Sequence, residues 1–246
     1  MPRRLILGDS DTVFLAGSSI AFKLPPETLE EIFECNIQRL KCYSSTYPFY
    51  LDLPMYPPSV NLSSIGWGFG SSCPQLSIQR FADKNFQRVI RTAIYNIDPS
   101  LLILQATSVD LENCFREHGD DLQRLYSVGR KSSDNILWIA EESLRISQKL
   151  QHVIIAEKIQ RTTTINLRLA TDWTNTYLAN AATTLVSADK ISVHRHRLNP
   201  YGRESLFGPQ EGKNWDGWHL RGIHGTSAYI NSWKGIFENY EVIKRV

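Results

Sequence analysis

The sequence has few cysteines, little net charge and no long hydrophobic run. Each shortage excludes a class of protein. Only 4 of the 246 residues are cysteine, and Cys35, Cys42, Cys73 and Cys114 form no CxxC pair. Such scatter fits neither a disulfide framework nor a zinc site, and no metal or cofactor is expected; it reads as free thiols in a reducing, cytoplasmic compartment. With 27 Lys and Arg against 25 Asp and Glu, the net charge is +2. That balance excludes a polybasic nucleic-acid binder acting by bulk charge, and leaves room for a local basic patch. No apolar run approaches the ~18 residues of a membrane span, so none is expected. At the start, Leu5–Leu7 alone precede Gly8 and Asp9, too short for a secretory signal core. What is present is a 42% hydrophobic chain with 6 Trp, 10 Tyr and 10 Phe. That is enough to bury a core, and it argues against disorder.

No repeat or low-complexity linker divides the chain. Residues 43–75 hold Pro48, Pro54, Pro57, Pro58 and Pro74, then Gly66, Gly68 and Gly70. Such density predicts loop with short strands. Short apolar runs predict strands at Leu5–Leu7, Leu101–Leu104, Val153–Ala156 and Ile191–Val193. Runs without alternation suit strands covered on both faces, as in a parallel sheet. Apolar residues at three- and four-residue spacing predict helices over Glu27–Leu40, Phe81–Tyr95, Ile136–Leu150 and Thr171–Leu185, with a closing helix over Thr226–Phe237. The alternation implies an α/β fold with a mostly parallel sheet, in which sites form at the carboxyl ends of strands.

Those ends carry chemistry. Gly8-Asp9-Ser10 follows the first run, Thr107-Ser108-Val109-Asp110 follows Leu101–Leu104, and Asp216-Gly217-Trp218-His219 precedes the closing helix. A serine hydroxyl needs a base within hydrogen-bond reach, and imidazole titrates near neutrality. A carboxylate on the far ring nitrogen fixes the tautomer and stabilises the imidazolium.

The motifs resemble the SGNH (GDSL-type) hydrolase family. LILGDS resembles its first block, SSIGWGFGSSCPQL its second, DPSLLILQATSVDL its third, and DGWHLRGIHGTSAYINSW its last, in family order. The resemblance implies a three-layer α/β/α sandwich, flavodoxin-like, with a mostly parallel and about five-stranded sheet. It implies one domain over 1–246, because a nucleophile near the start and a base near the end build one site. By the same match Ser10 is the nucleophile and one oxyanion donor, His219 the general base and Asp216 its orienter, with Gly68 or Gly70 supplying a second oxyanion N–H. The implied activity is hydrolysis of a small-molecule or lipid ester. The chain departs from the family at Val109, which stands at the asparagine of the third block and cannot donate, and at Thr107, in place of a glycine. Losing one oxyanion donor typically costs ~10²–10³ in rate. Asp11 adds a carboxylate beside the proposed nucleophile. A weaker resemblance links HRHRLNPYGRESLFGPQEGKNWDGWHL to the SGNH-like domains of LINE-type retrotransposon proteins.

Each residue also has a plain reading. GDS is an ordinary turn and helix cap, and Asp216 and His219 suit a surface loop. His194 and His196 alternate on one extended face. With only arginines beside them they read as a solvated basic strand end, not a metal site. His224 ranks below His219 as a base. Arg195, Arg197, Arg203, Lys213 and Arg221 make a locally basic region. Together with Val109, that region motivates the alternative of a catalytically weak or inactive SGNH-like module binding RNA or a protein, although the net charge does not favour nucleic acid.

Overall fold

Apolar runs without alternation suit strands covered on both faces, and each of the four expected runs lies in a strand. The computed structural model describes residues 4–7, 62–64, 81–82, 84–105, 109–159, 164–196, 232 and 236. Strand β1 is Arg4–Leu7, β2 Leu62–Ser64, β3 Leu101–Gln105, β4 His152–Ala156 and β5 Ile191–His194. β3, β4 and β5 form a parallel sheet in which Leu102 pairs with Val153 and Val153 with Ile191. β1 lies parallel to β3 on its other side, Leu7 beside Leu104, and β2 lies parallel to β1.

Parallel neighbours need crossovers, and helices supply them. α1 spans Lys84–Ile97, α2 Val109–His118, α3 Leu122–Ile146 and α4 Ile165–Ala182. One face of the sheet offers Leu102, Leu104, Val153, Ile155 and Ile191. Against it pack Ile90 and Ile94 of α1, Ile136, Leu137, Ile139 and Ala140 of α3, and Leu178 and Ala182 of α4. The opposite face is covered as well, since Ile103 and Ile154 are fully buried. The expected mixed α/β class with a parallel sheet is met.

Three helices have ends other than those expected. α1 runs past Tyr95 to Ile97, where Asp98 takes a positive φ of 44° before Pro99. α3 starts at Leu122 instead of Ile136, because the Asp121 carboxylate accepts from Arg124 N at 3.1 Å and caps it. It stops at Ile146. Ser147 is extended, and its hydroxyl reaches Asp98 Oδ1 at 2.9 Å and Pro99 O at 3.1 Å. Leu150 lies beyond the helix and is buried in the core. α4 spans Ile165–Ala182 where Thr171–Leu185 was expected. α2 was not expected at all; its Leu111 and Cys114 pack with Leu125, Leu167 and Ala170. The expected helix Glu27–Leu40 lies outside the described residues. Within the expected closing helix, Ser232 and Ile236 are helical and buried.

α3 and α4 meet closely. A Cβ on Gly129 would stand 2.0 Å from Thr174 Oγ1. Around this point the seam is lined by small polar side chains that bond back within their own helices, Ser133 to Gly129 O, Thr171 to Leu167 O and Thr174 to Ala170 O. Among the described residues no helix is long and apolar enough to cross a membrane.

Candidate functional site at the carboxyl ends of the strands

Gln105 closes the apolar run of β3 and is fully buried. A buried amide must be bonded on both of its ends. Its Nε2 donates to Glu157 O at 2.9 Å, just past β4. Its Oε1 faces His196 Nε2 at 2.7 Å, two residues past β5. The other ring nitrogen, His196 Nδ1, lies 2.9 Å from Ser232 Oγ. Both His196 and Ser232 are buried. Burial pushes the His196 imidazole pKa from 6.5 down to about 3, so the ring is neutral at physiological pH. The reading of His194 and His196 as a solvated basic strand end is therefore corrected for His196. Its described hydrogen-bond partners lie 91 and 36 positions away, which local pattern cannot show.

The neighbouring groups are also paired. The Glu157 carboxylate accepts from Arg195 Nε at 3.0 Å, so this arginine of the basic region already has a carboxylate partner. Lys158 is buried, and its Nζ donates to Ser132 Oγ at 2.8 Å. Asn175 clamps the Lys158 backbone, accepting from its N at 2.9 Å and donating to its O at 3.0 Å. The side chain thus stands in for a neighbouring strand where β4 has run out. Lower on the same sheet face as Gln105, His152 Nε2 and His194 Nε2 meet Ser192 Oγ at 2.8 and 2.9 Å. Burial lowers the His194 pKa.

Ser10, Gly68, Gly70, Asp216 and His219 all lie outside the described residues. So do Thr107 and Ser108, and the rest of the basic region beyond Arg195. Along the chain, several of them adjoin described elements. Ser10 is three residues beyond the end of β1, Thr107 two beyond β3, and Asp216 and His219 fall between His196 and Ser232. The helix after β3 begins at Val109, so Val109 is the first helical residue. Asp110 and Glu112 in that first turn are buried. Among the described residues no three His, Cys, Asp or Glu side chains gather as a metal site. The sequence reading passed over Gln105, Asn175 and Ser232. A polar residue closing an otherwise apolar strand is the one signal that pointed to Gln105.

The fold is similar to that of a crystallised lipase, Lip_vut3 from a goat rumen metagenome. The two share 14% identity over 96% of this chain and 97% of the lipase, with a TM-score of 0.54. No protein-family model matches the chain, and no curated protein does.

Proposed function

We propose that the chain is a serine esterase of the SGNH type. It is one domain over 1–246, a three-layer sandwich on an about five-stranded sheet. The observation that carries this reading is the parallel pairing of β1 with β3, Leu7 beside Leu104, with β2 on the far side of β1. In an open parallel sheet, ligands bind where the strand order reverses, at the carboxyl ends of the two central strands. Here those ends are Leu7, followed by Gly8-Asp9-Ser10, and Gln105, followed by Thr107–Asp110. The likeness to a lipase accords with ester chemistry on this fold, and a reducing, cytoplasmic setting accords with the free thiol of Cys114.

In this reading Ser10 Oγ attacks the ester carbonyl carbon while His219 takes its proton. Asp216 holds the imidazole and stabilises its charge. The backbone N–H groups of Ser10 and of Gly68 or Gly70 receive the oxyanion. Collapse breaks the bond to the alcohol, which leaves with the proton from His219. Water, deprotonated by His219, then attacks the acyl-enzyme, releasing the acid and restoring Ser10. The substrate is a small-molecule or lipid ester.

The test is hydrolysis of a short-chain aryl ester by wild type and by Ser10→Ala. The variant is expected to lose at least ~10³ in kcat. Equal rates would sink the proposal. Val109 at the start of α2 favours a second reading, a catalytically weak module of the same fold that binds RNA or a protein. Retention of RNA at low salt with loss at high salt would support that reading.

A further inference from the structure

Helix α4 carries apolar side chains on two sides. Its inner side buries Leu167, Ala170, Leu178 and Ala182 in the core. On its outer side Ile165, Leu169 and Trp173 are 64%, 46% and 37% exposed, and Tyr177 is half-buried. These residues follow one another at four-residue intervals, which lines them up as a ridge over about three turns. Apolar residues scattered singly over a surface are ordinary, whereas a continuous ridge marks a place of contact.

The aromatic half of the ridge is already braced. Trp173 packs against Tyr126 of α3, with 4.8 Å between ring centroids, and against Tyr177, with 5.6 Å and 12° between the ring planes. Arg130 Cζ stands 5.6 Å from the Tyr177 ring centroid, and the Tyr177 hydroxyl donates to Asp134 Oδ1 at 2.7 Å. Side chains held in this way lose little rotamer freedom when a partner covers them.

The order of residues along the outer side is self-complementary. Where two copies of a helix run antiparallel about a two-fold axis, positions equally far to either side of the axis meet. With the axis near Ala170 and Thr171, Leu169 meets Trp173 of the other copy and Ile165 meets Tyr177. On the other flank of the ridge Arg168 meets Asp172, and both of these are exposed. Symmetry makes every such contact twice. Apolar side chains then lie against apolar ones and each cation against an anion. Moving the axis to Arg168 or to Asp172 would set that residue against its own copy.

We propose that the outer ridge of α4 is the docking surface for a second copy of this chain, the two α4 helices running antiparallel about a two-fold axis near Ala170 and Thr171. A ridge of this length is small beside the ~800 Å² per partner of a standard interface. The pair is therefore a reversible dimer with a micromolar dissociation constant.

The experiment is sedimentation velocity of the full chain between ~1 and ~200 µM, where wild type is expected to pass from monomer to dimer. Leu169→Asp is expected to raise the dissociation constant at least ~100-fold, because the change falls twice in a two-fold pair. Its circular dichroism is expected to match that of wild type, as befits an exposed position. Arg168→Glu alone and Asp172→Arg alone each set like charges together, and each is expected to sediment as a monomer. Mixed in equal amounts, the two chains are expected to form a heterodimer, because every cation again meets an anion. A structural role for either residue within its own chain would not produce that recovery. Wild type that stays monomeric across the range overturns the proposal, whether the ridge then takes a peptide, a sugar or nothing. A dimer that Leu169→Asp leaves intact overturns it too, since the interface then lies elsewhere, and so does a mixture of folded reversed chains that stays monomeric. Should a reversed chain not fold, Leu169→Asp decides alone: loss of the dimer supports the proposal, and its retention overturns it.

Discussion

Asn175 shows how much a single side chain can hold. It satisfies both the N–H and the C=O of Lys158 at a place where no strand is left to do so. Asn175→Ala would leave two buried backbone groups without these partners, at a cost of about 2–4 kcal/mol. Urea denaturation at pH 7 checks this. Two ionisable residues give the fold an acid response. Arg145 and Arg91 hold the Glu142 carboxyl down at about 2, from 4.5. Its contribution is present above pH 4.5 and is lost as pH falls from 4.5 towards 2. Both arginines are substantially exposed, 68% and 45%, so screening keeps the contribution modest. Glu142→Gln is expected to cost about 0.5–1 kcal/mol at pH 7, less at high salt. His196 acts in the same direction through a different cause. Its pKa is depressed by burial, so the unfolded chain takes the proton first. The contribution is present above pH 6.5 and declines as pH falls towards 3, by up to about tenfold in the folding constant per pH unit. In His196→Gln the slope of stability against pH should flatten between pH 6.5 and 4.5. An unchanged slope would show that the ring titrates freely. None of this was visible locally: the sequence around His196 is basic, and its described side-chain partners Gln105 and Ser232 are distant in sequence.

At the scale of elements, the strands were legible and the helix ends were not. LLIL and VIIA are short, apolar and bounded by polar or turn residues, which is what a doubly covered strand requires. α3 was half seen. Its second half carries the apolar face of Ile136, Leu137, Ile139 and Ala140, while its first half contains Gly129 and few apolar residues. That glycine has a packing reason. Alanine favours a helix by about 1 kcal/mol over glycine, yet Gly129→Ala would drive a methyl into Thr174 Oγ1. It is expected to destabilise by about 1–3 kcal/mol. Gly129→Ala combined with Thr174→Ala should recover a large part of that loss, which a double-mutant cycle in urea measures. α2 went unread because Thr107–Asp110 reads equally as a site turn and as a helix start, and tertiary packing of Leu111 and Cys114 decides the matter.

For the whole molecule, the order of strands matters more than their number. The class was readable from alternating helices and strands, but the adjacency of β1 and β3 was not. These strands are about a hundred residues apart in sequence, and pairing at that range has no local signature. The adjacency predicts the effect of truncation. Removing Met1–Gly8 would strip β3 of its β1 partner and expose one edge of a strand whose leucines and isoleucine are buried. The shortened chain is expected to aggregate or to lose most of its cooperative unfolding transition, which light scattering and circular dichroism would record.

The hydrogen bond between His196 and Ser232 also acts as a crosslink between positions 36 residues apart. A segment whose two ends are already held side by side is, in engineering terms, a cassette. Doubling the length of such an insert costs only ~0.6 kcal/mol of loop entropy. A longer stretch between these two anchors would therefore cost little in closure entropy while the bond between His196 and Ser232 holds.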